Sequence, residues 1–142
     1  MDTDELYRLA DENGIEVYFA SLPICGSCSI EDDGYMSVGI DPRICDTQAT
    51  EKERLAHELG HCIYGGFITR HTNPWFRKRT ERNAQKWAEH RLVPFDALMA
   101  AFRKGVIEVW ELAEHFGVGE DFVRNVISTY RGMGLLTGLG NE

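Results

Sequence analysis

Residues 57–61 read His57-Glu58-Leu59-Gly60-His61, an HExxH motif around which the rest of the chain has to be arranged. Two histidines four residues apart lie on one face of a helix, so both imidazoles can hold the same zinc ion. The glutamate between them projects to one side of that face, towards the position of a zinc-bound water. The motif therefore predicts metal-assisted hydrolysis, usually of a peptide bond.

The flanking residues predict that this motif lies on a buried helix. Thr50 and Glu53 fit a capping box with Thr50 as the N-cap, and Gly65-Gly66 ends the segment. Leu55 and Leu59 form an apolar stripe at helical spacing. The alternative is a surface helix with two solvated histidines. Histidines on a buried helix need polar partners, and zinc is the commonest partner for such a pair.

A catalytic zinc also needs a third protein ligand and an open position for water. The best candidate is Glu81, which follows Thr80 as a possible N-cap and opens a second helical pattern. The core-facing stripe of that helix consists of Ala84, Trp87, Ala88 and Leu92. Gln85 lies one turn after Glu81 and could hydrogen-bond a ligand histidine. An acid in the first turn also favours the helix dipole, so the residues alone leave both roles open for Glu81.

The run from Arg54 to His61, followed by Glu81–Ala88 and Leu92–Pro94, resembles the ImmA/IrrE family of metallo-endopeptidases. That family has an HELGH helix and a second helix of the form E-x-x-A-N-x-F-A, ending in L-[LM]-x-P or L-M-P. Segments at 34–41 and 111–118 extend the resemblance to roughly residues 15–131. The chain departs from the family pattern at three positions, with Gln85 for Asn, Trp87 for Phe and Val93 for Met.

The resemblance implies a set of roles for these residues. It implies that His57, His61 and Glu81 bind Zn²⁺ and that Glu58 is the general base. It also implies a protein substrate, a helix-turn-helix repressor encoded nearby, in phages, mobile elements or stress regulation. The expected substrate rests on the resemblance alone, whereas the roles of His57, His61 and Glu58 are also supported by the spacing of the HExxH motif.

The periodicity along the chain predicts an α+β fold with a zincin-like helical core and a small antiparallel sheet. Helices are expected at 2–13, 95–104, 106–116 and 120–130 besides the two of the metal site, and strands at 15–19 and 35–40. A loop at 23–29, a turn at 31–34 and an irregular segment at 68–80 separate them. Residues 1–94 are predicted to form the metallopeptidase core, and 95–142 a C-terminal helical segment packed on it.

The last two predicted helices have a helix-turn-helix-like pattern. Ala113, Val123 and Ile127 point inward, with the turn at Gly117. A helix that binds DNA should be basic, whereas the second helix begins with Glu120-Asp121 and follows further glutamates. The sequence therefore favours a structural or protein-docking role over DNA recognition.

The composition narrows the class of protein. The 142 residues carry a net charge of −8, which argues against a general nucleic-acid binder. The acidic N-terminus lacks the apolar segment of a signal peptide, and no run approaches 18 apolar residues. We therefore expect a cytoplasmic protein without a membrane segment. The sequence does not indicate an oligomeric state.

The remaining reactive side chains leave several roles open. Cys25-Gly-Ser-Cys28 has CxxC spacing, but there is no second CxxC, so four reduced thiols are expected rather than a metal or redox pair. Cys62 is expected to be a core residue. The candidates for an oxyanion donor are His71, His90, Tyr64 and Tyr130. A solvated side chain is the favoured interpretation for His71 and His90, and the sequence leaves the two tyrosines open.

The main alternative function is a regulatory protein-binding module with a structural or vestigial zinc site. In that case the C-terminal helices would hold a partner repressor without cleaving it. The presence of Glu58 argues against this alternative, because a module that only binds has no use for a base beside the metal.

Overall fold

A computed structural model describes residues 1–22 and 25–136, and its fold is α+β, as predicted. The described elements are, in chain order, α1 (Thr3–Glu12), β1 (Ile15–Phe19), β2 (Ser27–Asp32), β3 (Tyr35–Ile40), α2 (Gln48–Gly60), α3 (Pro74–Leu92), α4 (Phe95–Arg103), α5 (Val109–Phe116) and α6 (Glu120–Gly132). A π-helical turn, His61–Gly65, continues α2. Two residues of the predicted 23–29 loop and the last six of the predicted C-terminal segment lie outside the described residues.

The three strands form a mixed sheet in the order β1-β3-β2, which corrects the predicted antiparallel sheet. β2 and β3 are an antiparallel hairpin joined by Asp33-Gly34, whose φ angles of 53° and 88° are those of a type I′ turn. β1 pairs with β3 in parallel, from Ile15 opposite Met36 to Phe19 opposite Ile40. Because β2 returns the chain to its starting end, β3 runs in the direction of β1 and fits between the other two strands.

Strand β2 itself was not predicted. Its first residues are Ser27, Cys28 and Ser29, which have little of the β-branched or aromatic character that marks a strand. Pairing with β3 forms the strand despite this composition. The predicted 23–29 loop and 31–34 turn are therefore wrong for residues 27–32.

Helix α2 begins earlier than predicted. Its N-cap is Thr47 and not Thr50, and the Thr47 hydroxyl accepts a hydrogen bond from the Thr50 N–H at 3.0 Å. Glu53 does not reach back to complete a capping box, because its carboxylate accepts the N–H of Gly119 at 2.6 Å. The side chain of Glu53, which the local sequence predicts to cap α2, therefore makes a long-range contact with Gly119 instead.

Two neighbouring charged residues of α2 hold the α5–α6 turn. The Lys52 ammonium donates to the Phe116 carbonyl at 2.6 Å, at the end of α5, while Glu53 accepts from Gly119 at the start of α6. A cation at a helix C-terminus and an anion at an N-terminus are both favoured by the helix dipole. Burial lowers the pKa of Lys52 and raises the pKa of Glu53, so both charges depend on these partners.

Helix α3 also begins before the predicted position. Asn73 is its N-cap and accepts the Trp75 N–H at 2.8 Å, Pro74 occupies the first turn, and the predicted irregular segment is helical from residue 74 onward. Thr80 is therefore not an N-cap, and Glu81 lies in the third helical turn. The dipole effect acts within the first turn, so it does not account for an acid at position 81.

The core draws on most of the described elements. The cluster of buried apolar side chains includes Leu6, Ile15, Val38, Ile40, Leu55, Leu59, Ala88, Leu92, Leu98, Leu112, Val123, Val126 and Tyr130. Ala113 and Val123 are buried and Ile127 is half-buried, so these three residues face inward as predicted. α5 and α6 pack on each other, and their likeness to a helix-turn-helix stays a prediction. None of the helices in the described ranges is long and apolar enough to cross a membrane.

The backbones of α2 and α3 approach each other closely at Gly60. A Cβ built on Gly60 would lie 2.6 Å from the Ala84 carbonyl oxygen, and one built on Gly65 would lie 3.1 Å from the Ala84 N. Any side chain at position 60 would push the two helices apart, because the group it meets is backbone. The glycine of the HELGH motif therefore sets the spacing between the two helices of the predicted metal site.

We expect Gly60→Ala to lower the free energy of unfolding by about 1–3 kcal/mol, the usual result of overpacking a closely packed site. The matched control is Gly132→Ala at the end of α6, where an added Cβ meets nothing within 4 Å. This control should be neutral or more stable by up to about 1 kcal/mol. Chemical denaturation of the three proteins measures both effects, and equal stability of Gly60→Ala and wild type would refute the spacing argument.

Candidate metal centre

Three predicted ligand side chains meet where α2 and its π-helical turn cross α3. His57 Nε2 and His61 Nε2 each lie 2.8 Å from the same atom, Glu81 Oε1. The two imidazole rings are edge to face, with centroids 5.0 Å apart. One potential ligand atom from each residue thus lies within 4.8 Å of the other two. The structure brings together all three residues, although Glu81 is 20 residues from the nearer histidine in sequence.

The π-helical turn fixes the orientation of His61. The Gly66 N–H donates to the His61 carbonyl at 2.9 Å, and the Gly66 carbonyl lies 2.7 Å from His61 Nδ1. Gly66 has a φ of 80°, which a glycine adopts without strain. A carbonyl oxygen can only accept, so Nδ1 carries the proton and the Nε2 lone pair faces Glu81.

A side-chain amide contacts the ring of His57. His57 Nδ1 lies 2.8 Å from Gln85 Oε1, one helical turn beyond Glu81 on α3. The sequence predicted that Gln85 could hydrogen-bond a ligand histidine, and the structure places it there. The longer glutamine, where the family has asparagine, reaches the imidazole directly.

The cluster is open on one side only. The side chain of His61 is 5% exposed and that of His57 is 20% exposed, whereas Glu81 is 49% exposed. A carboxylate at the open side leaves room for water or a substrate to enter from solvent.

The chemistry of these donors fits zinc. Two imidazole nitrogens and one carboxylate oxygen are a typical ligand set of a catalytic zinc, which keeps a fourth position open. With both Nδ1 atoms protonated, two lone pairs and a carboxylate face one another, an arrangement that a cation stabilises. Within residues 1–22 and 25–136, this is the one group of three His, Cys, Asp or Glu residues placed to share a metal ion.

Glu58 is buried beside the ligands. It is 6% exposed, and its Oε2 accepts a hydrogen bond of 2.8 Å from the hydroxyl of Ser27, which is itself 5% exposed and belongs to β2. Its other carboxylate oxygen, Oε1, has no hydrogen bond to the described part of the chain. Strand β2 therefore contacts the carboxylate of Glu58 through Ser27.

The structure excludes one of the four candidate oxyanion donors. The hydroxyl of fully buried Tyr130 donates to the Val93 carbonyl at 2.6 Å, and the ring of His90 packs against Tyr130, which excludes Tyr130 as an oxyanion donor. His71 and Tyr64 are exposed, and their roles stay open.

The four cysteines are free thiols, as expected. Cys25 is exposed and Cys28 lies 3.9 Å from the Tyr18 hydroxyl. Cys62 packs against the core, as expected, and burial raises its pKa to about 12, with Glu58 adding to the rise. A thiol with such a pKa is protonated at neutral pH and is a poor metal ligand.

Some residues of this site were not predicted from sequence. Ser27 reaches the site because β2 pairs with β3, and the Gly66 carbonyl reaches it because of the π-helical turn. Local sequence patterns predict neither contact. Glu89, which follows Gln85 by one turn and lies 3.5 Å from its amide nitrogen, could have been found from its spacing of four and eight residues from Gln85 and Glu81.

Comparison with known families agrees with this geometry. The family model described as the IrrE N-terminal-like domain, a peptidase family, matches residues 10–128. The chain therefore belongs to the ImmA/IrrE family, which is one of zinc metallopeptidases. No curated protein and no solved structure matches the chain significantly.

Zinc binding is tested by the metal content of the purified protein. We expect one zinc per chain in the wild type and a loss of most of it in His61→Ala, because two ligands cannot complete the site. His71→Ala removes an exposed histidine outside the cluster and should keep the wild-type content. Elemental analysis of the three proteins decides the matter, and equal zinc in wild type and His61→Ala would exclude this site.

Proposed function

We propose that this chain is a zinc-dependent endopeptidase that hydrolyses a peptide bond in a protein substrate. The observation that supports it most is the meeting of His57, His61 and Glu81 beside the buried carboxylate of Glu58. A structural zinc site is closed by four protein ligands, whereas here three converge and one of them is half exposed.

In the proposed hydrolysis, the three ligands bind the metal and Glu58 transfers the proton. When zinc is bound, His57, His61 and Glu81 would hold it, and it would supply a Lewis acid for the scissile carbonyl and the attacking water. Glu58 takes the proton from that water and delivers it to the leaving amine. Because Ser27 donates to Glu58 Oε2, we assign the proton transfer to Oε1. The Nδ1 hydrogen bonds of both histidines keep their rings fixed during these steps.

The sheet offers a place for an extended substrate. β2 is an edge strand, and its first residue contacts Glu58, so a peptide paired along the free edge of β2 would lie next to the site. A cavity of about 210 Å³ also adjoins His57 and is lined by Thr50, Glu53, Arg54, His57, Gln85 and Phe122. We propose that these two surfaces bind the residues on either side of the scissile bond.

A protein substrate fits the charges of the C-terminal helices better than DNA does. Arg124 of α6 is paired with Glu120 at 3.2 Å and Asp121 at 2.9 Å, so its cation is already engaged by its own helix. Family membership makes a helix-turn-helix repressor encoded beside the gene the proposed substrate. We also propose that residues 1–94 are the catalytic core, that the helical segment following residue 94 packs on it, and that the protein is cytoplasmic.

Glu58→Gln separates catalysis from metal binding. The amide keeps the size and the Ser27 contact but cannot act as a base, so the variant should keep its zinc and fold while losing about 10²–10⁴-fold in cleavage rate. The assay incubates zinc-loaded protein with the neighbouring repressor and follows the products by mass spectrometry.

Glu16→Gln is the matched control, because Glu16 is an exposed glutamate on the opposite edge strand β1, and it should cleave at the wild-type rate. Cleavage by Glu58→Gln at the wild-type rate would contradict the mechanism. Binding of the repressor without any cleavage by wild type would favour a regulatory binding module instead.

A further inference from the structure

A line of polar side chains begins at the metal ligand Glu81 and continues along the same face of α3. Glu81, Gln85 and Glu89 are spaced by four residues, so they lie above one another on the helix. Gln85 Oε1 faces His57 Nδ1 at 2.8 Å, and Gln85 Nε2 faces Glu89 Oε2 at 3.5 Å. The last contact of the line is on α6, where the Thr129 hydroxyl donates to Glu89 Oε1 at 2.6 Å.

Glu89 is a buried carboxylate that the proposed reaction does not use. It is 3% exposed and helps to line a cavity of about 560 Å³ between α3 and α6. Burial raises its pKa, and the hydrogen bonds from Thr129 and Gln85 oppose the rise. Burying a carboxyl group costs free energy that a neutral side chain would avoid, so its position calls for a role.

The two ligand histidines differ in how their protons are fixed. His61 faces a backbone carbonyl, which can only accept and therefore requires a proton on Nδ1. His57 faces a side-chain amide, which can present either its oxygen or its NH₂ group. If the Gln85 amide rotated by 180°, its NH₂ group would face His57 and would donate a hydrogen bond to an unprotonated Nδ1. The proton would then occupy Nε2, the atom that faces the other ligands.

We propose that Glu89 is a positioning residue that sets the direction of the Gln85 amide and so keeps His57 Nε2 free to bind the metal. An ionised carboxylate only accepts, so the NH₂ of Gln85 turns towards Glu89 and its oxygen turns towards His57. Thr129 on α6 holds the carboxylate of Glu89. The chain of contacts Thr129–Glu89–Gln85–His57 forms a hydrogen-bond relay, and this relay links α6 to a ligand histidine. The inference rests on the metal site of the proposed function.

The first test compares zinc affinities. Glu89→Gln can face Gln85 with either end of its own amide, so the direction of the relay is lost. We expect a fall in zinc affinity of about tenfold, at the low end of what outer-shell partners of metal ligands cost. Competition with a chromophoric chelator measures the affinity.

Two further variants of α6 keep this test independent of folding. Thr129→Val preserves the side-chain shape but removes the donor to Glu89, so it should weaken zinc binding in the same direction. Ser128→Ala removes the neighbouring hydroxyl, which lines the same cavity and makes no hydrogen bond to Glu89, and should leave the affinity unchanged. Thermal unfolding of each metal-free variant shows whether the fold is retained.

A double-mutant cycle distinguishes the relay from simple loss of a negative charge near a cation. Gln85→Leu keeps the volume and removes the amide through which Glu89 acts. In a Gln85→Leu background, Glu89→Gln should cause no further change in zinc affinity. If the carboxylate acts only through its charge, the same tenfold loss will appear in both backgrounds, and the relay is wrong.

Nuclear magnetic resonance of ¹⁵N-histidine-labelled, zinc-loaded protein provides a readout of the His57 proton itself. Wild type should show slowly exchanging Nδ1–H signals for both ligand histidines. Glu89→Gln should speed the exchange at His57 only, since the Gly66 carbonyl still holds His61. A wild-type protein that does not bind zinc would overturn the metal site together with the relay. A zinc-binding Glu89→Gln with unchanged affinity and unchanged exchange would overturn the relay alone.

Discussion

The structure depends on the close contact between α2 and α3 at Gly60. A methyl group there would meet the Ala84 carbonyl at 2.6 Å, so only a glycine lets the helices approach this closely. The approach places Glu81, one turn before Ala84, against both histidines, with one oxygen 2.8 Å from each Nε2. The metal site is therefore a consequence of backbone packing, and its geometry is as rigid as the contact between the two helices.

Buried charges then connect the C-terminal helices to this pair. Lys52 and Glu53 of α2 hold the α5–α6 turn, and Glu89 of α3 accepts from Thr129 of α6. Each of these groups loses hydration on burial, and each has a specific partner that compensates for the loss. Helices after residue 94 thus contact both helices that carry the proposed ligands. Displacing α6 would disturb the partner of Glu89 and, through Gln85, the orientation of His57.

The sequence predicts the parts of this arrangement that follow from local periodicity. The HExxH helix, the Asp33-Gly34 turn with β3, and the last three helices were predicted to within a few residues because their apolar spacing and turn residues are clear. The N-cap residues of α2 and α3 were wrong because Thr50 and Thr80 are also reasonable caps, and tertiary contacts decide among candidates. Strand β2, the parallel pairing of β1 and the Ser27–Glu58 contact depend on distant partners, which local patterns do not encode.

The most direct test of the central claim is a crystal structure of the zinc-loaded protein with anomalous diffraction recorded at the zinc absorption edge. We expect one strong anomalous peak per chain, about 2.0–2.2 Å from His57 Nε2, His61 Nε2 and a carboxylate oxygen of Glu81. Gln85 and the Gly66 carbonyl should keep their contacts with the two Nδ1 atoms. A peak at Cys25 and Cys28, or a zinc ion bound by the histidines with Glu81 turned away into solvent, would show that these three residues do not form the metal site.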